Sequence, residues 1–366
     1  MKKLLLLFSI FILTLALYSC GEKYDPVPST EEEARVVMQL EVGTEKFDVK
    51  YELYRALFLG CKSLVDGGDE SVWSGESKDE YINKINEIIC EKASYIYSTL
   101  HVAKSVGINP YSVDADNAVK EAIRVSVEGD SEGHSGHGSY EKFLASLASR
   151  GLNYSVADLL IRSEWAKAKT ETYFAGTEDT VQGLVGGNLD ISDEALLRFY
   201  NGEECVRVLE AFFPENLMLT QSTVHAFAAS LRAKSTAYER AELITSKTIS
   251  TELDGKGGVI GTCVGKYSLD SYYFSSYIDA AFSMTVDEVS DGILIKGAAD
   301  EESNGYYVLA MLNKDEDYFT NHKDLVLNSY IKNEIGKKIY GTKDALAESA
   351  RLTEKYGEIV HADIVK

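Results

Sequence analysis

Four short stretches follow one another between residues 255 and 309. They are Gly255-Lys256-Gly257-Gly258-Val259-Ile260-Gly261, a Tyr/Phe-rich segment closing in Ala280-Ala281-Phe282, then Val289-Ser290, then Gly305-Tyr306-Tyr307-Val308-Leu309. The first is too rich in glycine for regular structure and reads as a turn. Tyr306 to Leu312 reads as a strand. Upstream, Cys205 to Phe213 (CVRVLEAFF) alternates in the manner of a strand, and Ala233 to Lys247 between the two fits a helix.

That order resembles the parvulin-type peptidyl-prolyl isomerases. The family opens on a strand of the form VRVxHILF and continues through a GGxLG turn, an AxF helix and a GxVS turn to a closing GYHI strand. The resemblance implies an α+β domain over 201–315. Aligned on it, the family's two histidines fall on Glu210 and Tyr307, and the apolar groove that grips proline falls on Ile260, Tyr273 and Tyr277. Rotation about an amide meets a barrier of about 18–20 kcal/mol because conjugation is broken. The family's catalysis implies tighter binding of the twisted amide than of either planar form. A Glu210–Tyr307 pair keeps one hydrogen bond of the histidine pair but changes its geometry and charge, so a degenerate domain with weak or no isomerase activity is expected. Buried unpaired, a carboxylate is costly, so Glu210 should be exposed, paired or protonated. His225 is the other candidate for the first histidine, but it would leave Cys205–Phe213 without a role.

The chain begins Met1-Lys2-Lys3, runs apolar from Leu4 to Leu17 and reaches Leu17-Tyr18-Ser19-Cys20. A basic start, a short apolar core and small residues before the cleavage point describe a secretory signal over 1–19. The run is shorter than the ~20 residues that span a bilayer. Its end resembles a bacterial lipobox, which implies a diacylglyceryl group on Cys20 and an extracytoplasmic, membrane-anchored protein. Two acyl chains suffice for stable anchoring. Residues 20–35, with Pro26, Pro28 and Glu31–Glu33, read as a flexible lipidated tether.

Thirty-seven basic against 58 acidic residues give a net charge of −21. That balance excludes nucleic acid, which needs a basic footprint, and adhesion to anionic lipid. A mature chain of about 345 residues, 45% hydrophobic, can bury a large core. Of five cysteines, Cys61, Cys90, Cys205 and Cys263 remain after Cys20, with no CxxC or metal spacing. Cys61 and Cys90 on neighbouring helices are the plausible pair, with buried free thiols the favoured alternative.

Val36–Val42 has strand character. Tyr51–Val65 and Lys78–Val106 have helical spacing, separated by the glycine-rich Asp66–Trp73. Glu141–Phe174 is helical with a break near Gly151, and Ser192 caps a helix with an acidic first turn. Tyr51 to Trp73, the long helix ending Ala103-Lys104-Ser105-Val106-Gly107-Ile108, and Ile191 to Tyr200 together resemble the helical chaperone domain of SurA- and PrsA-type exported foldases. In that family the C-terminal segment returns to complete the helical domain. The resemblance implies a helical part over 36–200 and 316–366, with helices over 324–339 and 344–356. It also implies a closing strand Ile359–Val365 beside Val36–Val42, around the inserted 201–315 domain.

His134 and His137 lie in a Gly/Ser/Asp-rich loop and show no third metal ligand, so no metal and no cofactor are expected. The 23 tyrosines suit both core packing and broad contact surfaces. The reading is an anchored foldase or holdase that binds unfolded exported polypeptide. Two alternatives stand beside it: an active prolyl isomerase using Glu210 and Tyr307, and a lipoprotein that binds solutes or surfaces.

Overall fold

The computed structural model describes residues 24–130, 135–175, 178–179, 184–185, 189–217, 219–254, 258–268, 275–295 and 304–353. The chain is α+β and divides into two compact units. Among these residues, a helical unit holds 24–173, 178–179, 184–185 and 338–353, and a sheet unit holds 174–175 and 189–337.

The helical unit starts with a hairpin, Val36–Val42 (β1) and Glu45–Lys50 (β2), that runs straight into helix α1, Tyr51–Asp66. Helix α1 stops at Gly67, whose φ of 61° is a left-handed cap that glycine takes without a Cβ penalty. The glycine-rich stretch then folds into a 3-10 turn, Glu70–Trp73, which buries Trp73 completely. Helix α2, Lys78–Ser105, follows. Its Ile85, Ile89, Ala93, Ile96 and Leu100 recur every three or four residues and join Leu53, Phe58 and Trp73 in one core.

Helix α3, Val113–Glu128, has no counterpart in the sequence reading. Ser112 caps it through Ala115 N–H, and Ala115, Val119, Ile123 and Val127 form its buried stripe. The last three pack with α4 (Tyr140–Ser149) and the start of α5 (Tyr154–Phe174) around Phe143, Leu147 and Tyr154. The break expected near Gly151 separates α4 from α5. Glu178–Asp179 (β3) and Leu184–Val185 (β4) form a short antiparallel pair.

The tether expectation is corrected for residues 24–35, which pack on the helical unit. The Tyr24 ring lies 5.3 Å from Tyr140, and the Tyr140 hydroxyl donates to Asp25 O at 2.7 Å. Ser29 bonds both Glu52 and Ser155. Aromatic and hydroxyl partners anchor the segment despite its prolines. Cys20 and residues 1–19 lie outside the described residues.

The sheet unit begins with α6, Asp193–Asn201, capped by Ser192 as expected. Strand β5, Cys205–Pro214, lies inside an antiparallel sheet of order β6-β5-β8-β7, with β6 Thr262–Gly265, β7 Ile293–Ile295 and β8 Gly305–Leu312. Period-2 alternation splits β5 cleanly. Leu209, Ala211 and Phe213 pack on α7 (Gln221–Arg232) and α8 (Ala237–Lys247), while Val208 and Phe212 face α9 (Ser275–Ser283). The helix expected over 233–247 is found as α8, starting at Ala237 behind a capping box on Thr236, and α7 before it has no counterpart in the sequence reading. Gly305 must be glycine: its φ is 153°, and a Cβ there would lie 2.2 Å from Phe213 O.

The unit reaches beyond 201–315. Leu196, Phe199 and Tyr200 of α6 pack with Cys205, Cys263, Tyr318 and Val326. Tyr318 lies in α10, Glu316–Asn321, and Val326 in α11, Lys323–Ser349. Helix α11 is continuous where two helices, 324–339 and 344–356, were expected, and its residues from 338 onward belong to the helical unit. Behind it, Arg351–Leu352 (β9) pairs antiparallel with β1, Met38 opposite Leu352. The strand that closes beside β1 is therefore 351–352; the expected 359–365 lies outside the described residues.

Candidate functional site

The most unusual chemistry sits in the sheet unit, on the α9 face of β5. Glu210 lies there between Val208 and Phe212, opposite Leu309 of β8. The Tyr277 hydroxyl, from the first turn of α9, donates to Glu210 Oε2 at 2.7 Å. Tyr307 points to the same face. Its ring stacks on Phe212 with centroids 4.6 Å apart and meets Tyr277 edge-on at 5.6 Å. The structure thus brings Glu210, Tyr307 and Tyr277 together, and the polar bond joins Glu210 to Tyr277.

A fourth member was missed in the sequence. Glu252 is 2% exposed. The chain leading to it runs past the end of β6, where Phe212 N–H donates to Ser250 Oγ at 3.2 Å. Glu252 N–H is taken by Thr245 Oγ1 at 3.1 Å. The backbone N–H groups of Glu210 and Gly261 favour the charged form of its carboxyl, but burial and the neighbouring Glu210 outweigh them and push its pKa up to about 8. Its Oε2 has no hydrogen-bond partner. Burial also raises Glu210, against the Tyr277 bond that lowers it. The Tyr277 phenol is driven well above its ordinary value by burial and by Glu210.

Chemically, this is a protonated acid beside a carboxyl–phenol pair, walled by Phe212 and Tyr307. Two like acids in an apolar setting cannot both ionise cheaply. Burial and Glu210 thus favour the protonated form of Glu252, while Glu210 is held by Tyr277. Glu210 is half-buried by its own surface, so the pair borders solvent rather than being sealed from it.

Ile260 does not join them. It packs beside Leu196, Phe199, Tyr200 and Tyr318, and its carbonyl accepts from Arg207 Nε at 3.1 Å. Alignment along the chain placed it in a groove; the strand it precedes turns it to the opposite face. Tyr273 and His134 lie outside the described residues. His137 packs its ring 5.9 Å from Phe143. His225 is exposed on α7, across the sheet from Tyr277. Among the described residues no group of three or more His, Cys, Asp or Glu is placed to hold a metal.

Cys61 and Cys90 do not pair: both are free thiols, the favoured of the two expectations, Cys61 buried in the first core and Cys90 directed at Ala347 O. The sulfurs that meet are those of Cys205 and Cys263, 2.7 Å apart.

The helical unit contains a separate cavity of about 700 Å³. Its lining includes Phe47, Leu53, Tyr97, Tyr111, Tyr154 and Leu159. The segment Pro26-Val27-Pro28 also borders it, so the N-terminal strap lies along this space. Tyr97 is fixed by donating to Asp48 O at 2.9 Å, whereas Tyr111 is 63% exposed at the rim. Lys46, Asp48, Lys50, Glu52 and Asp158 line it too, so aromatic rings and charges share the wall of a space large enough for a bound side chain or ligand.

No protein-family model matches the sequence, and no curated protein matches it. Solved structures with some likeness include PrsA from Bacillus subtilis, at 13% identity and a TM-score of 0.24, covering 77% of this chain and 91% of that one. The foldase protein PrsA from Streptococcus pneumoniae has 13% identity and a TM-score of 0.27, with 88% and 98% covered. The peptidylprolyl isomerase PrsA from Bacillus anthracis has 12% identity and a TM-score of 0.24, with 70% and 97% covered. Likenesses of this strength leave the case for function to the residues themselves.

Proposed function

We propose that this protein is an exported, lipid-anchored foldase of the holdase kind, binding unfolded polypeptide in its helical unit. The observation that carries the reading is the aromatic cavity of about 700 Å³ beside Phe47, Tyr97, Tyr111 and Tyr154. Tyrosine rings offer large contact area at small entropic cost and accept side chains of varied sequence. An acidic surface with no cofactor chemistry suits capture and release without nucleotide.

The sheet unit supports the same reading by what its site has become. Where the family resemblance implies a histidine pair under an open proline groove, Tyr277 is buried and its hydroxyl is bonded to Glu210. Ile260, the other described wall residue, faces elsewhere. Isomerase activity is therefore weak or absent, and Cys20 carries the anchor.

Suppression of the aggregation of a chemically unfolded client tests the reading. Stoichiometric full-length protein should suppress it, and Tyr111→Ala, at an exposed rim position that leaves the core intact, should weaken suppression several-fold. No suppression by the unaltered protein would overturn the holdase reading. A protease-coupled Xaa-Pro assay showing a robust rate that Tyr277→Ala abolishes would restore the isomerase.

A further inference from the structure

We infer that Cys205 and Cys263 form an intramolecular disulfide that staples edge strand β6 to β5. The two sulfurs lie 2.7 Å apart, closer than unbonded sulfur atoms normally sit and only about 0.7 Å beyond a disulfide bond length. The geometry follows from the register. Cys205 lies opposite Gly265 and Arg207 opposite Cys263, so all four positions share one face of the sheet. Gly265 leaves the place across from Cys205 empty of side chain, which lets the Cys205 sulfur lean diagonally onto Cys263. A larger residue at 265 would itself be blocked, because a Cβ there meets Asn333 Cβ at 2.9 Å.

Nothing else at the site calls for two thiols. Both residues are buried, Cys205 fully and Cys263 at 9% exposure, among Leu196, Phe199, Tyr200 and Tyr318. Among the described residues their neighbours include no third ligand for a metal. The Cys263 sulfur and burial push the Cys205 thiol far above its ordinary range, so Cys263 rather than Cys205 opens the exchange.

The reaction is thiol–disulfide exchange with a small-molecule disulfide, the oxidant class of an extracytoplasmic compartment. Cys263, the more exposed sulfur, attacks one sulfur of the oxidant, giving a mixed disulfide and releasing one thiol. Cys205 then displaces the second thiol. Two protein thiols are oxidised, one small disulfide is reduced to two thiols, and the two protons leave with them. Access comes through β6, which has a neighbour on only one side in the sheet order.

The test uses the full-length protein treated with oxidised glutathione, then unfolded, alkylated and digested. The expected product is a peptide pair joined through Cys205 and Cys263, two hydrogens lighter than the free peptides, with Cys61 and Cys90 alkylated. The closed loop spans 58 residues. The sheet unit's thermal midpoint should therefore rise by roughly 5–10 °C on oxidation and fall back on reduction. Cys205→Ser should trap glutathione on Cys263. Alkylation of both Cys205 and Cys263 in the oxidised, unfolded sample would overturn the inference, as would linkage of either to Cys61 or Cys90. The peptide readout needs no variant, so a poorly folding mutant cannot obscure it.

Discussion

The two units treat a pair of acids in opposite ways: Asp66 and Glu52 are buried in the helical unit, while buried Glu252 sits beside half-buried Glu210 in the sheet unit. In the helical unit Asp66 accepts from Trp73 Nε1 at 2.7 Å and Gly68 N–H at 2.8 Å, with Lys62 at 3.9 Å. Glu52 accepts from Asn153 and Ser29 and has Lys50 at 4.0 Å. In the sheet unit Glu210 has one phenol, Glu252 keeps an unpartnered oxygen, and the two acids face each other without a cation among their bonded partners. Fully partnered acids organise a core, whereas poorly partnered ones cost stability and shift their pKa. The contrast sets strained polar groups on the α9 face of β5 against satisfied ones around Trp73.

The sharpest way to break the contrast is to remove a partnered acid. Asp66→Ala strands the buried Trp73 N–H and should lower the helical unit's stability by about 2–3 kcal/mol. The chain's two tryptophans, Trp73 and Trp165, both belong to that unit, so their fluorescence during urea unfolding reports on it separately. No shift of the urea midpoint would mean that Asp66 is as poorly used as Glu252.

The sheet unit should respond to pH instead. Glu252 has a folded pKa of about 8 against an ordinary value of 4.5, so the folded state holds more protons between those limits. Its contribution to stability is fully present below pH 4.5 and is lost as pH rises through 8. Hydrogen exchange of β5 and β8 amides should show stability falling by on the order of 4 kcal/mol from pH 5 to pH 9. Glu252→Gln, which keeps the shape of the protonated acid, should match the unaltered protein at pH 5, exceed it at pH 9 and flatten the slope. A slope unchanged in the variant would assign the titration elsewhere.

The smallest effect belongs to Tyr277→Phe. Removing the hydroxyl leaves Glu210 without its donor at a cost of about 1 kcal/mol, and should raise the Glu210 pKa further because the bond that lowers it is gone. Carboxyl infrared bands of labelled Glu would read the change. A fall in that pKa would show that the phenol opposes the carboxylate.

Much of this arrangement was legible along the chain. The alternation of Cys205–Phe213 marked β5, whereas the nearness of Glu210 and Tyr307 was implied by the parvulin resemblance, which put Tyr277 in a groove wall rather than on Glu210. Glu252 was not legible, because one acid among 58 acidic residues carries no local mark; only the run of chain past β6 buries it. The Cys205–Cys263 pair depends on strand register and on the glycine at 265, neither of which residue spacing encodes. Helix α3 carries its signal in the sequence, a Ser112 cap and apolar residues four apart. Where two helices, 324–339 and 344–356, were expected, α11 runs on through Gly341. A Cβ at Gly341 would meet nothing within 4 Å, and the cost of about 1 kcal/mol for a helical glycine is offset by packing on both sides of it.

The pairing of β9 with β1 sets a timetable. Glu41 N–H waits for Ser349 Oγ across 308 residues, and β1 gains its second neighbour only when Arg351 and Leu352 arrive. Contacts so distant in sequence form late. A chain emerging from its N-terminus can assemble the sheet unit, residues 189–337, while β1 still shows an unpaired edge to its surroundings. The unit with the aromatic cavity is therefore the last to be finished, and during its own synthesis this protein passes through the state, apolar and open-edged, that we propose it guards against in others.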